Sequence, residues 1–276
     1  MSYAFTQVDV FTAMPLKGNP LAVVHGADGL SAARMQEFAR WTNLSETTFL
    51  LEPEDAQADY RVRIFTPERE LPYAGHPTLG TCHAWLAAGG QARGRDIVQE
   101  CGVGRVRIRR DGNRLAFAAP PLRRSGAVEP AVLDQIARSL RIPPDAIRAS
   151  QWVDNGPGWV AVMLASRAEL LAIVPDYTAM RGLELGVVAP WPEDDAQFEV
   201  RAFVPTQVSG FEDPVTGSLN ASLAQWLIGA GLAPPRYVAS QGTALGRAGR
   251  VHVAHEDGEI WIGGQTVSVV VGRLVL

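Results

Sequence analysis

The sequence predicts an α+β protein of two pseudo-symmetric lobes, each a curved, mostly antiparallel sheet around a central helix. Three observations predict this fold. The pattern V-R-x-F-x-P occurs at residues 62–67 and again at 200–205, and such an internal repeat indicates two copies of one structural unit. Strand-like segments outnumber helical ones, and most are short and bounded by Gly, Pro, Asp or Asn. A glycine and a helical pattern follow each copy of the motif.

The repeat continues downstream of the motif, where Ala74-Gly75-His76 aligns with Thr216-Gly217-Ser218. The two motif arginines, Arg63 and Arg201, are 138 positions apart, whereas the two glycines are 142 apart. The second copy therefore has four more residues between its motif and its helix.

Four segments have apolar residues three or four positions apart, which predicts helices at 32–42, 77–88, 129–140 and 218–228. Pro77 suits a first helical turn and Ser218 an N-cap. Gly89-Gly90 and the glycines of 229–231 suit the ends of the two motif helices.

The segments that predict strands are 3–11, 20–25, 47–52, 59–66, 96–101, 103–109, 114–118, 148–153, 159–164, 185–190, 197–204, 236–240, 249–255, 259–263 and 267–275. Pro120-Pro121 follows the last strand of the first copy and predicts a hinge. We therefore expect lobes at 1–121 and 122–266, with the last strand, 267–276, a candidate to complete the first lobe.

Composition and charge exclude several classes of protein. With a net charge of −4 and scattered arginines, the chain lacks the basic surface of a nucleic-acid binder. Arginines at 105, 107, 109 and 110 alternate with apolar residues, which favours the solvent face of a strand over a polyanion site. No segment approaches the roughly 18 apolar residues of a membrane span, so we expect no membrane contact.

The remaining bulk features predict a cytoplasmic protein that holds no metal. No secretory signal pattern opens the chain, and two cysteines, Cys82 and Cys101, suit a reducing compartment. The five histidines form no HExxH or similar spacing.

Gly75 and Gly217 lie where chemistry is expected. The first N–H groups of a helix lack partners and attract anions, so two equivalent helix starts facing one cleft would bind a carboxylate or phosphate. Glycine there would let the backbone approach the ligand closely. Both residues are equally compatible with ordinary turn glycines.

Three further residues are candidates for a site. His76 titrates near neutral pH and could exchange a hydrogen bond with substrate, or be an ordinary loop histidine. Asp213 precedes Pro214, a pair that also makes a simple Asx turn. Glu46 follows a helix and precedes a strand, and it is either a surface glutamate or buried enough to shuttle a proton.

Four segments together resemble one family: Gly18-Asn19-Pro20-Leu21-Ala22-Val23-Val24, Asn43-Leu44-Ser45-Glu46-Thr47-Thr48-Phe49, Ala74-Gly75-His76-Pro77-Thr78-Leu79-Gly80 and Glu212-Asp213-Pro214-Val215-Thr216-Gly217-Ser218. They resemble the PhzF-like family of phenazine biosynthesis over nearly the whole chain. The resemblance implies the diaminopimelate epimerase-like fold, with the active site between two similar lobes. It also implies a homodimer and an enzyme that uses neither metal nor organic cofactor.

The resemblance also implies the role of each site residue. Glu46 matches the acid/base carboxylate, and His76 and Asp213 match its polar partners. The residues that match substrate-binding positions are Ser45, Gly75, Thr78, Gly217 and Ser218. The characterised phenazine enzyme isomerises dihydro-hydroxyanthranilate, so the expected partner is a small, carboxylate-bearing molecule.

The superfamily's racemases and epimerases use two cysteines, one at each helix start. Here those positions hold Ala74 or Gly75 and Thr216 or Gly217, without a thiol. Cys82 and Cys101 lie elsewhere, and we expect both in the core. The resemblance therefore implies a proton shift by a single carboxylate. A non-catalytic carboxylate-binding protein, and a lyase or hydratase on the same scaffold, remain alternatives.

Overall fold

A computed structural model describes residues 1–191, 195–206 and 209–276. The chain forms two compact units. Unit 1 comprises Met1–Ala118 together with Gly263–Leu276, and unit 2 comprises Ala119–Ile262. Unit 1 is thus built from two segments that lie far apart in the sequence.

Unit 1 contains two longer helices and a set of mostly antiparallel strands. The helices are α1 (Ala32–Thr42) and α2 (Gly75–Ala87). The strands are β1 (Ser2–Val10), β2 (Asn19–Val24), β3 (Thr47–Leu51), β4 (Tyr60–Phe65), β5 (Glu70–Leu71), β6 (Ile97–Cys101), β7 (Gly104–Asp111), β8 (Arg114–Ala118) and β18 (Thr266–Val275).

Unit 2 repeats this plan and adds one helix. Its helices are α3 (Pro130–Leu140), α4 (Arg167–Leu171) and α5 (Gly217–Gly229). Its strands are β9 (Arg124–Gly126), β10 (Ala149–Asp154), β11 (Trp159–Met163), β12 (Glu184–Pro190), β13 (Phe198–Pro205), β14 (Gly210–Asp213), β15 (Arg236–Gln241), β16 (Gly249–Glu256) and β17 (Glu259–Gly264), whose last two residues belong to unit 1.

Strand pairing follows the same order in both units. β1–β2 is antiparallel and β2–β3 parallel in unit 1, as β10–β11 and β11–β12 are in unit 2. The central strand of unit 1, β4, pairs antiparallel with β3 and β5 and parallel with β6, and β13 pairs in the same way with β12, β14 and β15. This pattern confirms the predicted fold class.

The repeated V-R-x-F-x-P motif has the same structural role in each unit. Arg63 of β4 makes two hydrogen bonds to Glu70 of β5, each 2.7 Å long. Arg201 of β13 binds Glu212 of β14 in the same bidentate way, at 2.9 and 2.7 Å. Four more residues therefore lie between the arginine and its glutamate in the second copy. The connections 66–69 and 206–209 are equally long, whereas the β13–β14 ladder is two residue pairs longer than the β4–β5 ladder.

The two motif helices are the most buried helices of their units. In α2 every residue from Gly75 to Cys82 is buried, and an added Cβ at Gly80 would lie only 2.6 Å from the Leu21 side chain. In α5, Leu219 packs against Gly186 of β12 at a similar distance, 2.5 Å from where a Cβ would be. Each sheet thus closes tightly around its helix because glycines remove side chains at the contact.

The structure corrects three details of the sequence prediction. The N-cap of α5 is Thr216, and Ser218 is the second helical residue, because the chain enters the helix at Gly217. The short strands β5, β9 and β14 were not predicted, since two to four residues carry no readable alternation. Helix α4 was missed for the same reason, having only five residues.

Candidate active site

Glu46 and His76 of unit 1 are neighbours in the structure. Glu46 immediately precedes β3, and His76 is the second residue of α2. Glu46 Oε2 lies 3.4 Å from His76 Nε2, and their side chains are 16% and 6% exposed. The sequence therefore brings a mostly buried carboxylate to the start of a helix, in contact with an imidazole.

Burial keeps His76 neutral. Removal of the ring from water lowers the pKa of His76 from 6.5 to about 3, since a low-dielectric interior disfavours the charged form. The contact with Glu46 is therefore between an imidazole and a carboxyl group, not an ion pair. A neutral imidazole can donate one hydrogen bond and accept another.

Asn19 completes this cluster. It is the first residue of β2 and fully buried. Its side-chain nitrogen lies 3.4 Å from His76 Nδ1, and its oxygen accepts a hydrogen bond from Ser45 Oγ at 3.5 Å. Ser45, Asn19, His76 and Glu46 thus form a continuous chain of polar contacts within unit 1.

The start of α2 leaves backbone donors available. Its N-cap is Ala74, which has no side-chain oxygen and makes no capping bond. Pro77 has no N–H group, and the N–H of Thr78 donates to Ala74 at 3.2 Å. The N–H groups of Gly75 and His76 therefore have no acceptor within the helix, and they lie at its start, where His76 contacts Glu46.

Thr78 has a different environment from the other candidates. It is fully buried, and its hydroxyl donates to the Ala74 carbonyl at 2.9 Å and accepts from Gln99 Nε2 at 3.0 Å. Its side chain therefore holds the first turn of α2 inside unit 1. Any contact of Thr78 with substrate through that hydroxyl would require both bonds to be replaced.

In unit 2, Asp213 is the last residue of β14, and residues 214–216 separate it from α5. Its Oδ2 accepts a hydrogen bond from Thr216 Oγ1 at 2.6 Å, a short distance typical of a hydroxyl bound to a carboxylate. Gln241 donates to the Asp213 carbonyl at 3.1 Å and accepts from the Thr216 N–H at 3.0 Å. These bonds fix Asp213 relative to the start of α5.

Gly217 and Ser218 form the first turn of α5, whose N-cap residue makes no side-chain capping bond either. Ser218 Oγ accepts from Trp159 Nε1 at 3.0 Å, so its hydroxyl hydrogen is free to point elsewhere. Asn155 donates to the Ser218 carbonyl at 2.9 Å. Neither Gly75 nor Gly217 has a positive φ, so neither is a glycine that a left-handed turn requires.

The cysteines are not placed for proton transfer. Cys82 is fully buried in the middle of α2, and burial raises the pKa of its thiol to about 12. The prediction of a core position is correct for Cys82 and wrong for Cys101, which ends β6 and is only partly buried, because the adjacent turn exposes it. Burial also raises the pKa of Cys101.

No three His, Cys, Asp or Glu side chains of the described residues come together in a way that could hold a metal ion. No helix within residues 1–191, 195–206 and 209–276 is long and apolar enough to cross a membrane.

Sequence reasoning found Glu46, His76 and Ser45, which the structure brings together, but it missed the residues that hold them. Asn19 belongs to one of the four family-like segments, and nothing in the local sequence shows that its amide contacts His76, 57 positions away. Gln241 and Gln99 were missed as well. What marks Gln99 and Gln241 as supporting residues is that each is a fully buried glutamine in a strand. That burial is visible once the fold is known.

Comparisons with known proteins agree with the fold and the motifs. A family model described as Phenazine biosynthesis-like protein (PhzC-PhzF) matches residues 8–272. Antisense-enhancing sequence 1 of Schizosaccharomyces pombe is 33% identical, over 98% of this chain and 98% of that protein. The trans-2,3-dihydro-3-hydroxyanthranilate isomerase of Pseudomonas chlororaphis is 35% identical, over 79% of this chain and 77% of its own length.

A solved structure shows the same fold. The crystal structure of a PhzF family phenazine biosynthesis protein of Enterococcus faecalis is similar over 100% of both chains, with a TM-score of 0.82 and 28% identity. Fold and motifs thus define an α+β protein of the diaminopimelate epimerase-like class. Within that class, the chain belongs to the phenazine biosynthesis-like (PhzC-PhzF) family.

Proposed function

We propose that the protein is an isomerase that moves a proton between two carbons of a small, cyclic, carboxylate-bearing metabolite, with Glu46 as the single acid/base. The observation that supports this most is the contact of Glu46 with a buried, neutral His76 at the start of α2. Membership of a family that includes dihydro-hydroxyanthranilate isomerases supports the class of reaction and substrate.

Unit 1 supplies the parts that a proton shift needs. The N–H groups of Gly75 and His76 would bind the substrate carboxylate, since a helix start favours anions. Glu46 would then remove a proton from one carbon and return it to another, as the double bond moves between them. No electron leaves the substrate, so the reaction as a whole is redox-neutral.

His76 would serve as a hydrogen-bond partner and not as a second base. With a pKa of about 3 it stays neutral at physiological pH, so it neither adds a charge beside Glu46 nor competes for the substrate proton. An N–H group directed at Glu46 stabilises its carboxylate form, which exists before the first transfer and after the second. Ser45, through Asn19, would keep His76 in position.

Asp213, Gly217 and Ser218 would act on the same substrate from unit 2. The hydroxyl hydrogen of Ser218 and the N–H groups of the α5 start are donors for polar substituents. The Asp213 carboxylate, fixed by Thr216, would accept from a substrate N–H or O–H group.

The test is Glu46→Gln, which keeps the shape of the side chain and removes its basicity. We expect the rate of isomerisation to fall about 10²–10⁴-fold, the usual contribution of a general base. Nuclear magnetic resonance in heavy water, with trans-2,3-dihydro-3-hydroxyanthranilate as probe, would follow both product and deuterium entry at carbon. Glu37→Gln is the matched control, since Glu37 is a 66% exposed surface residue paired with Arg34.

Three outcomes would contradict the proposal. Unchanged turnover in Glu46→Gln would remove Glu46 from the mechanism. Tight binding of small carboxylates without deuterium exchange in the native protein would indicate a binding protein. A product that has lost or gained water would indicate a lyase or hydratase.

The proposal extends to two properties that the sequence predicted. Family membership supports a homodimer, which light scattering on the eluting peak of a size-exclusion column would test. A cytoplasmic location would be tested by cell fractionation.

A further inference from the structure

The series of polar contacts in unit 1 runs from Ser45 to Glu46. Going along it, Ser45 Oγ meets Asn19 Oδ1, Asn19 Nδ2 meets His76 Nδ1, and His76 Nε2 meets Glu46 Oε2. At 3.4–3.5 Å these contacts are long, so they fix orientation more than they add stability. Asn19 is fully buried and His76 is 5% exposed, so water cannot easily take the place of either partner.

In this series of contacts, the direction of one hydrogen bond fixes which atom donates in the next. Ser45 Oγ donates to Asn19 Oδ1, so the NH₂ group of Asn19 is the group that faces His76 Nδ1. If Glu46 acts as the proposed base it is ionised and only accepts hydrogen bonds, so a hydrogen bond across the 3.4 Å contact requires the hydrogen on His76 Nε2. A neutral imidazole has one N–H, which leaves Nδ1 as an acceptor. The group opposite Nδ1 must then be a donor, and the NH₂ group of Asn19 is that donor.

We propose that Asn19 is a positioning residue that holds His76 as the tautomer with hydrogen on Nε2, so that His76 always presents a donor to Glu46. The tautomer follows from the contacts within unit 1. Its importance for turnover rests on the function proposed above.

The backbone around Asn19 is built to keep this amide in place. Gly18 donates its N–H to Asp9 Oδ2 at 3.0 Å, across the β1–β2 turn. A Cβ at Gly18 would lie 2.1 Å from the Val10 carbonyl oxygen, so only glycine fits there. Asn19 itself pairs with Val10 in the ladder, which fixes where its side chain begins.

The inference can be tested without a substrate. Long-range proton–nitrogen spectra of protein labelled with ¹⁵N on histidine distinguish a protonated ring nitrogen from a bare one, and His76→Asn identifies the signals of His76. We expect native His76 to be the pure Nε2–H tautomer at pH 7. Asn19→Asp replaces the donor by an acceptor of the same shape, so it should move the hydrogen to Nδ1 or give a doubly protonated ring.

Asn43→Asp is the matched control, because Asn43 is exposed and lies in the same segment as Glu46. It adds the same charge near the site without touching Nδ1, so the Nε2–H tautomer should persist. A native spectrum with hydrogen on Nδ1, or an Asn19→Asp spectrum unchanged from native, would overturn the proposal.

Kinetics separate this inference from the proposed function. If both hold, Asn19→Asp should lower the rate of isomerisation roughly a hundredfold, the usual effect of misplacing a catalytic contact. It should also change the pH profile, because a ring that gains a proton responds to pH. If Glu46→Gln leaves turnover intact while the tautomer is as stated, the function is wrong and the role of Asn19 as a tautomer-setting residue stands.

Discussion

His76 shows how burial alone can define the role of a residue. The ring is surrounded by protein at the start of a helix whose first residues are all buried. Its low pKa comes from loss of water and not from a charged neighbour. A histidine that is neutral across the physiological range acts as a fixed dipole, which suits it to orient a carboxylate.

This burial predicts a pH dependence of stability. The pKa of His76 in the folded protein, about 3, lies below its value of 6.5 in the unfolded chain. Below pH 6.5 the unfolded chain therefore binds a proton that the folded protein does not. The free energy of unfolding therefore decreases, through His76, as the pH falls from 6.5 towards 3. The decrease is up to about 1.4 kcal/mol per pH unit.

The His76→Gln variant should lack this pH-dependent part of the free energy of unfolding. Urea unfolding of the variant and the native protein between pH 7 and pH 4 gives the free energy of unfolding of each. We expect the variant to become more stable relative to the native protein as the pH falls. His255→Gln, at an exposed histidine, is the control for the substitution itself. A flat difference for His76→Gln would show that folding does not lower the pKa of His76.

The sequence motifs point to candidate site residues, whereas the contacts of those residues cannot be read from the motifs. Glu46, His76 and Ser45 were identified through motifs, and they do lie together. The role of Asn19 could not be predicted, because its partner comes from a helix 57 positions away and the contact depends on how β2 meets α2. Thr78 looked like a binding residue from its neighbours in the motif, but its hydroxyl is occupied within unit 1.

At the scale of the element, glycines decide how deeply a motif helix lies in its sheet. At Gly80 of α2 an added Cβ would be 2.6 Å from Leu21 and 2.9 Å from Val10, both fully buried. At Gly229, the last residue of α5, nothing lies within 4 Å. The same residue type is thus required at one helical position and dispensable at another.

Gly80→Ala and Gly229→Ala should therefore have opposite effects on stability. Overpacking at Gly80 should cost about 1–3 kcal/mol, which exceeds the gain of up to about 1 kcal/mol from higher helix propensity. Gly229→Ala should stabilise by about 0.4–1 kcal/mol, since no contact opposes that gain. Thermal unfolding of the two variants beside the native protein measures both. Stabilisation by Gly80→Ala would mean that α2 does not pack tightly on β1 and β2.

Elements with a long periodic pattern were predicted well for a physical reason. Helix α1 has exactly the predicted bounds, 32–42, because Ser31 caps it and Asn43 ends it in a left-handed conformation that asparagine tolerates. The N-cap of α5 was predicted at Ser218, two residues after the observed N-cap Thr216, since serine and threonine are both good N-cap residues. Only the hydrogen bonds of Thr216 to Asp213 and Gln241 decide between the two residues.

At the scale of the whole molecule, unit 1 depends on a strand from the far end of the chain. β18 pairs antiparallel with β1 from Ser2 with Val275 to Val10 with Thr266, with one register shift after Gln7. Closing a loop of about 250 residues costs about 3 kcal/mol more than closing a ten-residue hairpin. A long ladder can offset that cost, whereas a two- or three-residue strand cannot.

Deletion of residues 266–276 should therefore unfold much of unit 1 and spare unit 2. Without β18, the edge of β1 along Ser2–Val10 loses its hydrogen-bond partners, and Tyr3, now 8% exposed, would be uncovered. Hydrogen exchange with peptide mass spectrometry should show at least tenfold faster exchange in β1 and β2, because their opening free energy would fall by more than about 1.4 kcal/mol. The β11 and β12 amides of unit 2 should keep their protection, since their ladder contains no residue of β18.

The control keeps β18 and changes only its exposed surface. Val271→Thr, at a residue that is 77% exposed, leaves the ladder with β1 intact and should not alter exchange in either unit. Equal loss of protection in both units of the truncated protein would show that they unfold as one cooperative body. Unchanged protection of β1 would show that the local β1–β2 hairpin holds unit 1 together, and that the terminal strand adds little to it.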